Sequence, residues 1–389
     1  MRALPYTSPE RMAASRRALV ACMLALLALG TVMVYSASFV KQLRRFGADS
    51  MSDPFQGHLL KVLVALVIFL ACLRVSPRQL FAAARPAWVL ATGLLLLVLV
   101  AGTQLNHSRR WFDVAGMSFQ PSELARVATL LMTGAWMASA RDRVADIRQG
   151  VLLPFAFVAI PCALVFVEPD YGSSMYLLLM GVLVMWVGGA SSRHLLAVFA
   201  VAMVAAFLYG WERFGHVQDR VNNFITPDPT SQVGYGLTAL SSGGVLGLGL
   251  GSGFGKWGLV AESDSDWILS VVGEELGLLG TAGLVALYAA FLWHGTRLLL
   301  GLRTRFSLIV GAGLLLQVVV QAVLNIAVVT ALAPPKGLPL PFVSAGGTSL
   351  MVLCASTGLL LGLARRPEED PVLEAPAATS LTHRGVPGS

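Results

Sequence analysis

The sequence predicts an all-α integral membrane protein that crosses the bilayer about ten times. Hydrophobic residues make up 56% of the 389 residues, charged residues only 13%, and the mean hydropathy is +0.72. Soluble domains carry about 25% charged residues, so this chain has too little polar surface to cover a water-facing globule of its length. The apolar residues are also gathered in runs that approach the ~20 residues a helix needs to cross lipid with its backbone satisfied.

Ten apolar runs follow one another along the chain, and each predicts one membrane-spanning helix. Their approximate bounds are 18–38, 58–73, 87–103, 122–140, 151–167, 172–190, 195–211, 267–295, 307–330 and 346–364. They define a polytopic membrane domain over residues 18–366, preceded by a cytoplasmic segment 1–17 and followed by a disordered cytoplasmic tail 367–389. The first run is too long for the core of a signal peptide and lacks a clean cleavage pattern, so we expect a retained span.

The distribution of basic residues predicts the orientation of the chain. The net charge of +7 comes from short clusters between apolar runs, which is typical of membrane proteins and argues against nucleic-acid binding. With the N-terminus inside, the cytoplasmic connections hold more arginines than the outer ones, so both termini are predicted in the cytoplasm. The cluster Lys41, Arg44 and Arg45 on the outer side argues mildly against this orientation.

The longest connection, about 212–266, lies on the outer side between the seventh and eighth spans. Its stretch Ser241–Gly255 is dense in glycine and still apolar, whereas flexible linkers favour polar residues. Glycine permits tight turns and close backbone approach. We therefore expect this stretch to fold back against the membrane domain.

Two pairs of charged residues flank the start of the fourth span. A charge at a span centre costs about 3 kcal/mol on insertion scales, so retained charges are candidates for function. Glu123 and Arg126 are three residues apart and share one helix face, which allows either a structural ion pair or a functional one. Arg109 and Arg110, just outside the membrane, could hold an anionic head group or anchor the chain at the interface.

Two further breaks in the apolar pattern carry single charges. Asp170 precedes the sixth span, where capping of the helix is favoured over catalysis. Lys336 lies in a proline- and glycine-rich stretch, Pro334–Thr348, that forces an irregular re-entry into the tenth span. The lysine adds positive charge to the outer face, although a structural turn with a snorkelling lysine is the simpler reading.

The strongest chemical signal is a group of acids at the eighth span: Glu262, Asp264, Asp266, Glu274 and Glu275. Helix capping accounts for one of these acids, not for five. A carboxylate at the membrane–water boundary favours a raised pKa, which suits a general base, whereas the helix N-terminus would keep Asp266 ionised. No residues have the spacing of metal ligands, and the four cysteines are predicted to be buried free thiols.

These stretches resemble the SEDS family (shape, elongation, division and sporulation), and more closely its FtsW-type division branch than its RodA-type elongation branch. The matching pieces lie in family order within about residues 15–366: Arg109–Trp111 with Phe119–Glu123, Pro169–Gly172, Ser242–Gly251, Glu262–Gly277 and Gly337–Gly347. The family usually has Pro-Glu-x-x-Thr-Asp-Phe-Ile where this chain has Ala261–Ile268, and Ser-Tyr-Gly-Gly where it has Ser344–Gly347. The aspartate of the family motif is kept as Asp266. Lys336 resembles the residue found at this position in the division branch.

The resemblance implies a SEDS-type fold and a peptidoglycan glycosyltransferase that polymerises lipid II at the outer face of the bacterial cytoplasmic membrane. Asp266 would be the general base, and Arg109, Arg110 and Lys336 would face the pyrophosphate leaving group. The supporting residues would be Glu123, Arg126, Asp170, Glu262 and Glu274. A divalent cation such as Mg²⁺ could share the electrostatic work, although no ligand cluster marks a site for one.

The implied partners are a cognate class B penicillin-binding protein, which cross-links the strands, and other membrane proteins of the division or elongation machinery. Two further functions stay open: a transporter that flips lipid II, and a scaffold without catalysis that recruits the penicillin-binding protein.

Overall fold

The computed structural model describes residues 9–46, 53–105, 108–114, 117–213, 218, 222, 224–225, 228–260, 262–366 and 370–374. The helices in this part of the chain are α1 Pro9–Phe46, α2 Asp53–Cys72, α3 Pro77–Ala101, α4 Pro121–Ala140, α5 Leu153–Val167, α6 Tyr171–Val187, α7 Ser192–Arg213, α8 Gln232–Ser242, α9 Ile268–Leu299, α10 Arg305–Val329, α11 Gly347–Arg365 and α12 Pro371–Glu374. The strands are β1 Thr103–Leu105, β2 Ser108–Val114 and β3 Met117–Phe119.

The multi-pass helical membrane fold predicted from the apolar runs is confirmed. The ten runs coincide with α1–α7 and α9–α11, and eight of these helices are long and apolar enough to cross a membrane. Helix α5 counts among the eight together with the π-helical turn Arg148–Leu152 before it, whereas α6 is apolar but has only 17 residues. Helix α4 is also not among the eight. Every residue of α4 except Leu124 is buried, so this helix does not need the apolar surface that lipid-facing helices require.

Helix α4 is the centre of the bundle. It packs against α3, α5, α6, α10 and α11, while α2 packs along α11 and α1 along α9. Large fully buried side chains such as Tyr176, Phe291 and Phe306 fill the space between these helices. The charged residues at the start of α4 are therefore surrounded by protein rather than by lipid.

A small antiparallel sheet, in the order β1-β2-β3, joins α3 to α4 and was not expected from the sequence. Gln104 pairs with Arg109, and Phe112 pairs with Phe119. Two of the strands have only three residues each, too few for an alternating pattern to stand out from a loop. The sheet carries Arg109 and Arg110 on β2.

The expectation that the glycine-rich stretch folds back is confirmed. Residues Gly243–Gly255, called the glycine segment below, lie along the first part of α9, where the backbone N–H of Leu248 donates to the carbonyl of Glu274 at 3.0 Å. Helix α9 is broken at Gly277, whose φ of 67° and ψ of −163° are open essentially only to glycine. The predicted eighth span is thus one helix with a break, because the glycine segment supplies carbonyl acceptors at that point.

All four cysteines lie within described residues and are free, as the sequence predicts; Cys22 and Cys354 are buried, and Cys72 and Cys162 are half-buried. Part of the predicted N-terminal segment and most of the predicted C-terminal segment fall outside the described residues, since residues 1–8, 367–369 and 375–389 are not described. Within these predicted segments, helix α1 already begins at Pro9 and Pro371–Glu374 forms the short helix α12.

Candidate active site

The charged stretches singled out in the sequence meet at one end of the bundle, at which α4, α6, α9 and α11 begin; we call it the site end. Asp266 lies in the turn before α9, Asp170 directly before α6, and Lys336 in the irregular segment before α11. Because alternate helices of a bundle point in opposite directions, the breaks before these four helices all lie at the same end.

Asn325 of α10 joins the Asp266 turn to the irregular segment. Its side-chain nitrogen Nδ2 donates to the backbone carbonyls of Asp266 and Leu338, each at 2.8 Å. Ser344 adds a second connection, since its Oγ donates to the carbonyl of Ser265 at 2.6 Å. These bonds hold the two chain segments together as one unit, which fixes the position of the Asp266 turn relative to the segment that carries Lys336.

The Asp266 carboxylate lies beside Gly337. A Cβ atom placed on this glycine would come within 3.1 Å of Asp266 Oδ2, so the carboxylate occupies the space that a side chain at position 337 would need. Asp266 is partly exposed. The predicted general base therefore has access to solvent and sits next to the residue that follows Lys336.

Lys336 directly precedes Gly337, the residue beside which the Asp266 carboxylate lies. It is half-buried, and no hydrogen bond or ion pair engages its ammonium group within the described part of the chain. Burial lowers the pKa of Lys336 below its usual value. Its Cβ lies 3.8 Å from the position that a Cβ on Gly172 would take, so the lysine packs against the start of α6.

Asp170 caps α6, as its position in the sequence predicts. Its Oδ1 accepts a hydrogen bond from the backbone N–H of Ser173 at 3.1 Å, and its Oδ2 accepts from Gln120 Nε2 at 3.3 Å. Ser173 connects this cap to α4, because Arg126 Nη2 donates to Ser173 Oγ at 3.2 Å and pairs with Glu123 Oε1 at 2.8 Å. The predicted Glu123–Arg126 pair is thus present and buried.

Glu168 was not among the predicted site residues, yet it lies in the same turn before α6 as Asp170. It is 1% exposed, and neither carboxyl oxygen has a hydrogen-bond partner among the described residues. Burial, followed by the negative charge of Asp170, raises the pKa of Glu168 to about 8, against the lowering effect of Arg110. Its burial is a matter of tertiary packing, in which Arg110 of β2 lies against the same turn, and no local sequence signal reports it.

Arg110 and Arg109 serve two different parts of the site end. Arg110 donates from Nε to the carbonyl of Glu168 at 2.9 Å and from Nη2 to that of Pro169 at 2.5 Å, so it holds the turn before α6. Arg109 is exposed and donates from Nη1 to the carbonyl of Val100 at 2.8 Å. Arg110 therefore lies against the Asp170 turn, whereas Arg109 is tied to the end of α3.

Glu262 and Glu274, two further acids of the eighth span, have different surroundings. Glu262 is exposed, and its carbonyl accepts from the backbone N–H groups of Ser265 and Trp267 at 3.1 and 3.2 Å, which forms the turn that carries Asp266. Glu274 is buried and accepts from the backbone N–H of Phe254 at 2.6 Å. The backbone of Glu262 thus shapes the turn that carries Asp266, and the side chain of Glu274 holds the glycine segment on α9.

The sequence also did not single out a buried ion pair next to Glu274. Lys256 Nζ lies 2.6 Å from Glu275 Oε1, and both side chains are almost fully buried. Ser36 of α1 donates to the same carboxylate at 2.8 Å. Removal of one partner of such a pair leaves an uncompensated buried charge, so this cluster ties α1, the glycine segment and α9 together.

Among the described residues there is no group of three or more His, Cys, Asp or Glu that could hold a metal ion. The divalent cation that the sequence left open therefore has no set of protein ligands among the described residues.

Comparisons with known proteins agree with the resemblance read from the motifs. The family model of the cell cycle proteins FtsW, RodA and SpoVE matches residues 16–369. A Mycobacterium tuberculosis protein named "Probable peptidoglycan glycosyltransferase FtsW" is 35% identical over 352 residues, which cover 88% of this chain and 66% of that relative, just under two thirds of its length. A relative of the same name from Geobacter metallireducens is 31% identical over 355 residues, covering 89% of this chain and 94% of its own.

Solved structures show the same fold. The crystal structure of Thermus thermophilus rod shape determining protein RodA matches with a TM-score of 0.67 and 26% identity, covering 90% of this chain and 97% of that one. A chain from the structure described as "Structural coordination of polymerization and crosslinking by a peptidoglycan synthase complex" matches with a TM-score of 0.74 and 27% identity, covering 90% and 98%.

Proposed function

Since the chain belongs to the FtsW, RodA and SpoVE family of cell cycle proteins, we propose that it is a peptidoglycan glycosyltransferase that polymerises lipid II. The names of its relatives support glycosyltransferase activity and favour septal synthesis in cell division over elongation. The observation that carries the proposal is the unit formed by the Asp266 turn and the Lys336 segment, which Asn325 joins.

In this mechanism Asp266 is the general base. It takes the proton from the 4-hydroxyl of the GlcNAc unit of incoming lipid II, while that oxygen forms a bond to the anomeric carbon of the growing strand. The bond from this carbon to undecaprenyl pyrophosphate breaks, and the leaving group departs with the electron pair. The partial exposure of Asp266 lets the hydroxyl reach the carboxylate, since a base must come within hydrogen-bond distance of the proton it removes.

Negative charge builds up on the pyrophosphate as this bond breaks, and a cation in a partly dry site stabilises it more than one in water. Lys336 is the first candidate, because its ammonium group has no partner in the described part of the chain and it lies next to Gly337. Arg109 and Arg110 extend the positive surface towards α3 and α5.

The supporting residues hold this arrangement in place. Glu123, Arg126 and Asp170 join the starts of α4 and α6. Glu262 forms the catalytic turn, and Glu274 holds the glycine segment. These contacts support positioning roles, since each side chain is bonded to backbone or to a neighbouring side chain.

We further propose that the site end faces the outside of the cytoplasmic membrane and that both termini are cytoplasmic. The partner would be a cognate class B penicillin-binding protein among the membrane proteins of the division machinery. The similarity to a chain of a peptidoglycan synthase complex that coordinates polymerisation and crosslinking supports such a partner.

Polymerisation of purified lipid II in detergent tests this function. The wild-type protein with its partner should produce glycan polymer, because transport across a bilayer plays no part in detergent. Asp266→Asn keeps the shape of the side chain but removes the base, and general-base catalysis contributes about 10²- to 10⁴-fold, so we expect polymer to fall by at least about 10²-fold.

The matched control is Asp264→Asn, an acid two residues away on the same turn whose backbone carbonyl is bonded to Ala345; we expect it to keep most of the activity. Absence of polymer from the wild type, or full polymerisation by Asp266→Asn, would rule out the proposed enzyme and favour lipid II transport or a scaffold.

A further inference from the structure

The glycine segment presents a continuous apolar face to its surroundings. Val245, Leu246, Leu248, Leu250 and Phe254 are all exposed, Leu246 by 78% and Phe254 by 66%. Large apolar side chains exposed together mark an interaction surface rather than an ordinary water-facing loop. The only charged residue between 241 and 260, Lys256, is turned inward to Glu275.

Five backbone N–H groups of the segment, those of Leu248, Gly249, Gly251, Phe254 and Gly255, donate to Glu274 or Glu275 inside the protein. The N–H groups of Leu248 and Gly249 donate to the carbonyls of Glu274 and Glu275, each at 3.0 Å. Further along, the N–H groups of Gly251 and Phe254 donate to the carboxylates of the same two glutamates, at 3.0 and 2.6 Å. The adjacent glutamates therefore act as acceptors for an irregular chain, first with their backbone and then with their side chains.

This bonding is what lipid requires of a non-helical chain. An unsatisfied backbone group in hydrocarbon costs several kcal/mol, so irregular backbone occurs at membrane depth only where protein supplies its partners. A loop in water has no such need, because water would supply the partners. The use of two buried carboxylates for this purpose points to a place where water is scarce.

The depth of the segment follows from α9. Arg297 stacks on Trp293 at 4.8 Å near the far end of this helix, a combination typical of the membrane interface. Leu278 lies about 28 Å from Arg297 along the helix, at 1.5 Å per residue, which is within the ~30 Å hydrocarbon layer. The N–H groups of Leu278 and Leu279 donate to the carbonyls of Gly244 and Val245 at 2.9 and 3.2 Å, so the segment begins at this depth.

The apolar face also continues the lipid-facing surface of α9. Leu278 and Leu279, directly beyond the helix break, are exposed by 62% and 61%, and Val245 lies at their level through its backbone bond to Leu279. The apolar face of the glycine segment and the exposed face of α9 therefore lie in the same medium. For a membrane-spanning helix this medium consists of acyl chains.

We propose that the glycine segment is a re-entrant element whose apolar face is immersed in the leaflet at the site end, with lipid acyl chains as its partner. Glu274 and Glu275 favour this immersion, since they accept hydrogen bonds from five backbone N–H groups that would otherwise need water. The catalytic turn that follows the segment is thereby held at the membrane surface. The proposal requires only that the protein spans a membrane and is independent of its catalytic activity.

Site-directed spin labelling of the purified protein in lipid nanodiscs tests this proposal. Single cysteines are introduced at Leu246 and Phe254 after replacement of the four free native cysteines. Leu292, an exposed residue in the part of α9 that follows the break, is the lipid-facing control, and Thr230, an exposed residue in the polar turn before α8, is the water-facing control. Collision with oxygen, which dissolves in lipid, is compared with collision with a water-soluble nickel chelate.

The oxygen-to-nickel collision ratio at Leu246 and Phe254 should match that at Leu292 and exceed that at Thr230. A ratio equal to that at Thr230 would show that the face lies in water, and low collision with both reagents would show that protein covers it; either result overturns the proposal. Two labelled positions guard against disturbance at one of them, because both side chains point away from the protein.

Discussion

Asn325 is the residue on which the proposed active site depends most, although its own chemistry is inert. One amide group donates to the carbonyl of Asp266 and to that of Leu338, each at 2.8 Å. Its removal would leave two carbonyls without partners, and each buried unsatisfied group costs about 1–3 kcal/mol. We expect this loss to shift the Asp266 carboxylate relative to Lys336.

Asn325→Leu should therefore lower kcat in the polymerisation assay by roughly tenfold or more, since each 1.36 kcal/mol of transition-state stabilisation is worth a factor of ten. The KM for lipid II should change little, because Asn325 faces the protein and not the membrane. Initial rates measured over a range of lipid II concentrations separate the two parameters.

The matched control for Asn325→Leu is Gln321→Leu, one turn away on the same face of α10. Gln321 Nε2 donates to the carbonyl of Pro339 at 2.8 Å and has no bond to the Asp266 turn. We expect a smaller decrease in kcat for this variant. Equal effects of the two substitutions, or an effect of Asn325→Leu on KM alone, would contradict the positioning role.

At the scale of the element, α9 is built from two parts that meet at Gly277. The first part carries Glu274 and Glu275 and receives the glycine segment, whereas the second part spans the membrane. A Cβ atom at Gly277 would come within 2.3 Å of the backbone nitrogen of Gly247. Substitution at the break would therefore separate the glycine segment from the helix.

Gly277→Ala should lower the midpoint of thermal unfolding in detergent by clearly more than Gly251→Ala. Both glycines have positive φ, of +67° and +83°, but nothing lies within 4 Å of a Cβ at Gly251. Gly251→Ala thus reports backbone strain alone, about 1–2 kcal/mol, while Gly277→Ala adds the collision with the glycine segment. Equal decreases for the two variants would show that the close approach at the break does not stabilise the protein.

At the scale of the whole molecule, the end of the bundle opposite the site end collects basic residues. Arg305 donates from Nη2 to the carbonyl of Gly188 at 2.8 Å, which shows that the connections before α7 and α10 lie together. The arginines at this end include Arg74, Arg141, Arg143, Arg148, Arg193, Arg297, Arg303, Arg305, Arg365 and Arg366. Such an excess predicts the cytoplasmic side.

Alkaline phosphatase, which folds to an active enzyme only outside the cytoplasm, checks this orientation. A fusion after Arg366 should be inactive, because the positive end of the bundle stays in the cytoplasm. The matched control is an insertion in the turn Asp228–Ser231 at the site end, which should be active. Activity at Arg366 together with inactivity at Asp228–Ser231 would reverse the orientation and place the proposed site inside the cell.

The helix cap at Asp170 and the Glu123–Arg126 pair were predictable because their sequence signals are local. Asp170 precedes an apolar run, and a side chain at that position caps a helix whatever surrounds it; Glu123 and Arg126 are three residues apart, and any helix brings them to one face. The supporting partners of Asp266, by contrast, lie 59 positions away in the case of Asn325. Spacing of that kind carries no periodic signal.

The sequence by itself determined that this is a multi-pass helical membrane protein and where its spans lie, because the hydrophobic effect and the backbone's need for internal hydrogen bonds act on every stretch of chain independently. Only the tertiary structure decided which charges share a site. It separated Glu274 from Asp266, buried Glu168 and Lys256, and joined Asp266 to Lys336 through Asn325. Burial and pairing depend on how helices distant in sequence pack together, and no single segment contains that information.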